Sequence, residues 1–356
     1  MRASLVVGSI ALALAVSPLL VGCPSDEIPD AGTDAAVPTA KAEWRVVLEN
    51  LDGALLSVWG PSSREIFAVG GPLGNTGFSP LVLRYDGTRW NRLAPGGSAS
   101  FWWVTGTASN DVWLVGEKGR ITHFDGQTFA EHASDTEVTI YGAWAASPTD
   151  AWAVGGTPEG GKGPQNDVLL HFDGIKWNRE KLPTEEGRTL FKVWGRSSDD
   201  LFVVGEAGLL WHRTAAGWAR EAADPPLARG TLLTAFGCAD GTTYAVGGRD
   251  VLVRKNGVWS RDPIELLNDV NGGACGKDGS VVLVGLGGFK ARLVQNAWVD
   301  DFSSKPYADL HGAFVDSEGA LWGVGGGFLS SAKPGVRRNG LVARFAPDTI
   351  SSLVVP

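Results

Sequence analysis

Three kinds of residue in this chain could do chemistry, and each recurs at a defined place in a repeating pattern. Cys238 and Cys275 lie nine residues before Gly247 and ten before Gly285, nearly equivalent places in adjacent units. His123, His171 and His212 share another common position, held elsewhere by Arg84 and Arg254. The four tyrosines stand at 85, 141, 244 and 307. A thiol pair could form a disulfide, clustered histidines could ligate a metal, and a tyrosine among arginines and an acid could act as a nucleophile. The spacing argues against the last two: one histidine per unit points outward from a common axis, so no metal, cofactor or catalytic set is expected from them. His311 differs, because it occupies a slot filled elsewhere by Leu56, Trp102, Tyr141 and Phe191.

The elements that would position these residues begin after residue 41. Arg2 is the only charge before the apolar run "LVVGSIALALAVSPLL", which is short for a membrane span and reads as a secretory core. It closes on "LLVGC", Leu20 to Cys23, which resembles the lipobox of bacterial lipoproteins. The resemblance implies cleavage after residue 22, a triacylated Cys23 and attachment to a membrane through lipid alone. Pro24 and Ser25 in place of an aspartate after the cysteine imply the outer membrane. Residues 23–41 carry "PSDEIPDAGTDAAVPTAK", rich in proline and acid, and form a tether without a core. Export places the rest of the chain in an oxidising compartment. With Cys23 lipidated, two of the 3 cysteines remain, and a disulfide between Cys238 and Cys275 is expected.

Val-Gly pairs end at Gly70, Gly116, Gly155, Gly205, Gly247, Gly285 and Gly325, spaced by 38 to 50 residues. Each unit holds four short apolar runs bounded by Gly, Asp, Asn or Ser, as in "LLSVWG", "EIFAVG", "LVLRYDG" and "TRWNRL". An all-β, seven-bladed β-propeller with four-stranded blades over residues 42–350 follows, with 351–356 as a tail. The 49 glycines and 15 tryptophans suit such a fold. The stretches "SNDVWLVG", "SPTDAWAVGG" and "SDDLFVVG" read as structural bricks: the acids Asp111, Asp150 and Asp200 would cap turn amides, the aromatic would pack between blades, and the closing glycine would sit where no Cβ fits. Outer-strand aromatics number seven when Trp44 is counted, so "EWRVVLE" (43–49) is expected to complete the last blade and remove an open edge.

The Asp-Gly hairpins "RYDGTRW", "HFDGQTF" and "HFDGIKW" resemble the BNR or Asp-box propellers and the propellers of photosystem assembly factors, over residues 44 to about 346. They depart from the Asp-box in having no residue between Asp and Gly. Similar repeats occur in lipoproteins of deltaproteobacteria. Sialidases use the same scaffold, and a propeller hydrolase or lyase acting on glycans is the alternative reading, but no Phe-Arg-Ile-Pro segment is present.

Net charge is -8, with no basic stripe, so nucleic acid is not an expected partner. A monomeric binding scaffold for an envelope protein or a glycan is expected. Three units expand the link from second to third strand, and these long loops would emerge on one face. Their expected contact residues are Asn75, Phe78, Lys162, Gln165, Asn166, Phe328, Lys333, Arg337 and Arg338. Cys23→Ala should leave a soluble or uncleaved chain whose propeller still folds, whereas the wild type enters the detergent phase on phase partitioning; a wholly aqueous wild type removes the anchor.

Overall fold

The computed structural model describes residues 41–71, 80–158, 166–184, 187–222, 226–327 and 339–348. Over these, the chain forms seven four-stranded antiparallel sheets, six of which are built from four strands consecutive in sequence. In blade 1 these are Ala54–Ser62, Glu65–Gly71, Leu81–Tyr85 and Trp90–Arg92. The seventh sheet is interlocked. Its inner three strands, Leu310–Val315, Leu321–Gly326 and Gly340–Ala346, take Glu43–Leu51 as the outer one. Trp44 pairs with Phe345 and Arg45 with Arg344, so the two ends of the propeller close the ring as the count of aromatics requires. Residues 349–356 lie outside the described residues, and the slot for which they could compete is filled.

The closing glycine of each second strand explains the spacing. A Cβ on Gly70, Gly116, Gly155, Gly205, Gly247, Gly285 or Gly325 would lie 1.9 to 2.3 Å from the carbonyl oxygen of residue 54, 100, 139, 189, 231, 269 or 309. The backbone is extended at these positions, with φ -170° at Gly116, so the constraint is space and not torsion. Close approach has a purpose: the N–H of the next residue donates to the same carbonyl, as from Glu117 to Ser100 (3.0 Å), Glu206 to Thr189 (3.0 Å) and Leu286 to Asp269 (2.9 Å). Immediately beyond that carbonyl the first strand bulges. The register slips between Leu55 and Ser57, Phe101 and Trp103, Ile140 and Gly142, Leu190 and Lys192, Val270 and Gly272, and Leu310 and Gly312. One residue in each of these six blades is thereby left out of the ladder and turned toward the axis.

Blades are joined by the aromatic of the brick. Phe67 packs on Phe124 of the next blade, Trp113 on Phe172 and Trp177, Trp152 on Trp218, Phe202 on Trp259, and Trp322 on Trp90 across the closure. Each such burial contributes roughly 2 to 3 kcal/mol. Outer tryptophans add polar clips to the preceding blade: Trp44 Nε1 donates to Asp301 (2.9 Å), Trp298 Nε1 to Asp262 (2.8 Å), and Trp259 Nε1 to Glu221. Cys238 and Cys275 form a disulfide, with Cα atoms 5.2 Å apart, at the inner-strand ends of blades 5 and 6. Closing a loop over a sequence separation of 37 stabilises by about 4 kcal/mol in the chain-entropy account.

If the missing Cβ is what matters, Gly285→Ala should cost about 3 kcal/mol or more in denaturant unfolding, because the methyl meets backbone that cannot yield. Gly230→Ala is the matched control: its methyl meets only Asp250 Oδ2 at 3.8 Å, and a change below about 0.5 kcal/mol is expected. Equal effects at the two sites would remove the close-approach explanation.

Candidate functional site

The histidines and acids of the brick come first, since they are the side chains most able to do chemistry. His123 Nε2 lies 2.8 Å from Asp111, His171 Nε2 2.9 Å from Asp150, and His212 Nε2 2.8 Å from Asp200. In blade 1 Arg84 and Glu65 make the same pair at 2.5 Å. Asp111, Asp150 and Asp200 therefore have a cross-strand partner that the reading as turn caps does not include, while Asp111 also accepts the backbone N–H of Thr107 beside the turn. The second strand aims each carboxylate at the third strand, where a cross-strand cation or imidazole lies within reach. In blades 5 to 7 the turn amides are capped by Asp240, Asp278 and Asp316, whose Oδ1 atoms accept the N–H of Thr242, Ser280 and Glu318 at 2.9 to 3.0 Å. The third-to-fourth hairpins use Asp125 and Asp173 likewise, and backbone donors from Thr128 and Lys176 hold both carboxyls down at about 2.

Ser198 donates to Asp150 of the preceding blade, as Ser109 does to Glu65. The order is hydroxyl, carboxylate, imidazole. A nucleophile needs the imidazole next to the hydroxyl to take its proton, so these sets brace blades and do not activate serine. The rings are packed as well as paired: His171 stacks on Trp152 with centroids 4.2 Å apart, and His212 on Phe202 at 4.2 Å.

The bulged residues, with Leu233 before the first strand of blade 5, converge where the histidines do not. Leu56, Trp102, Tyr141, Phe191, Leu233, Asn271 and His311, one from each blade, ring one mouth of the channel around a cavity of about 310 Å³. Trp102 meets Tyr141 edge-on at 4.7 Å, and Tyr141 meets Phe191 at 5.0 Å, so blades 2 to 4 give a continuous aromatic wall. Blades 6 and 7 give a polar one. His311 Nε2 lies 3.1 Å from the Gly326 carbonyl, which can only accept, so Nε2 carries the proton. Nδ1 then accepts from Asn271 Nδ2 at 3.4 Å. Burial lowers the His311 pKa, consistent with a neutral ring.

A second tier lies one residue deeper: Ser57, Trp103, Gly142, Lys192, Thr234, Gly272 and Gly312. Its glycines bring the first strands together, since a Cβ on Gly272 would lie 2.7 Å from the His311 carbonyl and one on Gly312 2.9 Å from that of Leu56. Lys192 crosses Gly142 of blade 3 and places Nζ 3.0 Å from the Tyr141 carbonyl and 3.3 Å from the ring centroid of Trp103 in blade 2. Burial pushes its pKa well below the usual lysine range.

Of the expected contact residues, Asn75, Phe78, Lys162, Gln165, Phe328, Lys333, Arg337 and Arg338 lie outside the described residues, as does Cys23. Asn166 is 6% exposed, so it is part of the blade edge and not of an exposed loop. Pro158, the last described residue before the second of the long loops, lines the cavity. Sequence reasoning picked out the slot of His311 and its equivalents but gave it no role, and it passed over Lys192, Trp103 and Asn271. The one signal was a lysine inside the apolar run "LFKVWG". Among the described residues no group of three or more His, Cys, Asp and Glu is arranged to hold a metal.

The fold is a seven-bladed β-propeller with a cavity at one mouth of its channel. No protein-family model and no curated protein matches the sequence. The structure is similar to that of a streptogramin B lyase, with TM-score 0.65 and 14% identity over 86% of this chain and 98% of that one. It is similar to YCF48 bound to a D1 peptide, with TM-score 0.63 and 15% identity over 87% and 100%. It also resembles the WD40 β-propeller domain of Doa1, with TM-score 0.64 and 9% identity over 86% and 98%. These likenesses are of fold.

For His212, burial favours the neutral ring, but hydrogen bonds to Glu221 and Asp200 outweigh it and raise the pKa. A raised folded-state pKa stabilises below the unfolded value, near 6.5, and the gain disappears as pH rises through the folded value. His212→Gln should therefore cost about 2 kcal/mol at pH 6 and less at pH 8.5 when melting is compared. A gap that is constant with pH removes the ion pair.

Proposed function

We propose that the chain is a membrane-anchored lipoprotein of the cell envelope, held at the outer membrane through Cys23, whose propeller is a binding scaffold for a protein or glycan partner. The observation that carries the reading is the cavity of about 310 Å³ ringed by one inward side chain from every blade. A site of that size with convergent apolar and polar walls is what a rigid scaffold offers a ligand. The second-to-third links and the blade-to-blade links share its face, since strands alternate in direction. Asn75, Phe78, Lys162, Gln165, Phe328, Lys333, Arg337 and Arg338 would form its rim. The glycan hydrolase alternative needs arginines and acids in the cavity, and neither occurs among its described lining residues.

The test is capture from envelope extracts by three purified proteins: wild type, a variant with the three loops trimmed to four-residue glycine turns, and Trp102→Ala. The trimmed protein should melt within a few degrees of wild type, because loop length contributes little to stability. Both variants are expected to lose the partner that the wild type retains. Retention by both places recognition elsewhere on the propeller.

A further inference from the structure

Lys192 is 6% exposed, and its equivalents in the other blades include serine, threonine and glycine. One of its three ammonium hydrogens is used on the Tyr141 carbonyl, and Nζ otherwise sits over the face of Trp103. No carboxylate of the described residues pairs with it, and the cavity that it borders has no acidic side chain among its described lining. Lys290, also buried, is different. Its Nζ donates to two carbonyls, Gly288 at 2.7 Å and Pro306 at 2.8 Å, and it clamps the link between blades 6 and 7. A charge taken out of water without a counter-charge costs several kcal/mol, and a methionine would fill the same space without that cost. A lysine here is a liability to the fold unless something enters the cavity to meet it.

The walls restrict what that can be. A cationic ligand finds no carboxylate among the described lining, and the ammonium of Lys192 already covers Trp103. A neutral sugar needs several free donors and acceptors, whereas the described polar side chains at the mouth are few and the imidazole of His311 is already engaged on both nitrogens. An anion meets Lys192, and an apolar ring lies against Trp102, Tyr141 and Phe191. We propose that the cavity binds a carboxylate carried on an aromatic or bulky apolar body, with Lys192 as its counter-ion. A free aromatic acid and the C-terminal residue of a peptide present the same chemistry. The assignment rests on the mouth being the recognition site and names what it recognises.

Protonation follows from the geometry. Burial alone depresses the pKa of Lys192, and a carboxylate beside Nζ would raise it again, so binding is coupled to proton uptake between the two values. The other titratable groups facing it stay neutral in the same range: burial raises Tyr141, with Glu117 and Glu206 adding to the shift, and burial lowers His311. Affinity is therefore flat below the pKa of the empty site and falls as pH rises above it.

Calorimetry on the purified full chain in detergent tests this with N-acetyl-phenylalanine, its amide, and a tetrapeptide ending in phenylalanine as free acid or amide. The free acids are expected to bind at least tenfold more tightly than the amides, with proton uptake seen as a heat that varies with the buffer's ionisation enthalpy. In Lys192→Met the acid should fall to the affinity of the amide. In Trp102→Ala both should weaken together. Binding of the tetrapeptide but not of the single residue assigns a chain terminus as the source, and binding of both admits the free acid. Equal affinity of acid and amide for the wild type overturns the proposal, as does unchanged acid binding by Lys192→Met. If no acid binds while Trp102→Ala still loses its partner in extracts, the carboxylate assignment fails and the mouth stands; if Trp102→Ala also keeps its partner, both fail.

Discussion

One backbone contact recurs from blade to blade and sets the geometry of the inner strands. At the end of the second strand a glycine lets the following N–H reach the carbonyl that precedes the bulge of the first strand, at 2.9 to 3.0 Å in blades 2, 4, 6 and 7. A Cβ there would lie 1.9 to 2.3 Å from that oxygen, far inside van der Waals contact. The bond pins the two strands where the ladder is interrupted, and the interruption turns one side chain per blade into the channel. Repetition of that contact in the other blades, with blade 5 bonding Gly248 N–H to the Val270 carbonyl instead, builds a closed circle of inward residues. The Val-Gly pair is thus a requirement of the scaffold and also the cause of the site.

Around this inner circle, cohesion between blades is supplied twice. The brick aromatics pack across each gap, and side-chain hydrogen bonds run with them from Ser109 to Glu65, Ser198 to Asp150 and Trp298 to Asp262. Residues with catalytic potential are consumed in this work. Each brick carboxylate stands between a hydroxyl and an imidazole, or holds an arginine, and each imidazole lies flat on or tilted against an indole or phenyl ring. Rigidity results, and a rigid rim is what a ligand needs if binding is not to lose entropy by ordering the protein.

Where the scaffold is uniform, the site is not. The inward slot holds Leu, Trp, Tyr, Phe, Leu, Asn and His in blade order, so an aromatic arc faces a polar one across the mouth. The tier below is mostly small, and the single lysine there can span two blades because Gly142 leaves its path clear. A symmetric fold acquires a direction by varying side chains at positions whose backbone is the same seven times.

Much of this was legible in the sequence, for a physical reason. Glycine at a close approach, aromatics at a blade gap and Asp-Gly at a hairpin are local demands, and a repeat states each of them several times, so the blade count, the closure by Trp44 and the pairing of Cys238 with Cys275 could be read from spacing. The partners of Asp111, Asp150 and Asp200 could not, because a carboxylate at a strand start serves a turn amide or a cross-strand imidazole equally well, and only the twist of the sheet decides. Nor could Lys192 be recognised: in "LFKVWG" it is one polar residue in an apolar run. Its burial, its reach over Gly142 to Trp103 and its place beneath the aromatic arc exist only once blades 2, 3 and 4 stand side by side. Sequence determined the brick and the ring; the cavity is a property of the ring's axis, where residues about 40 to 50 apart in the chain meet because the circle closes.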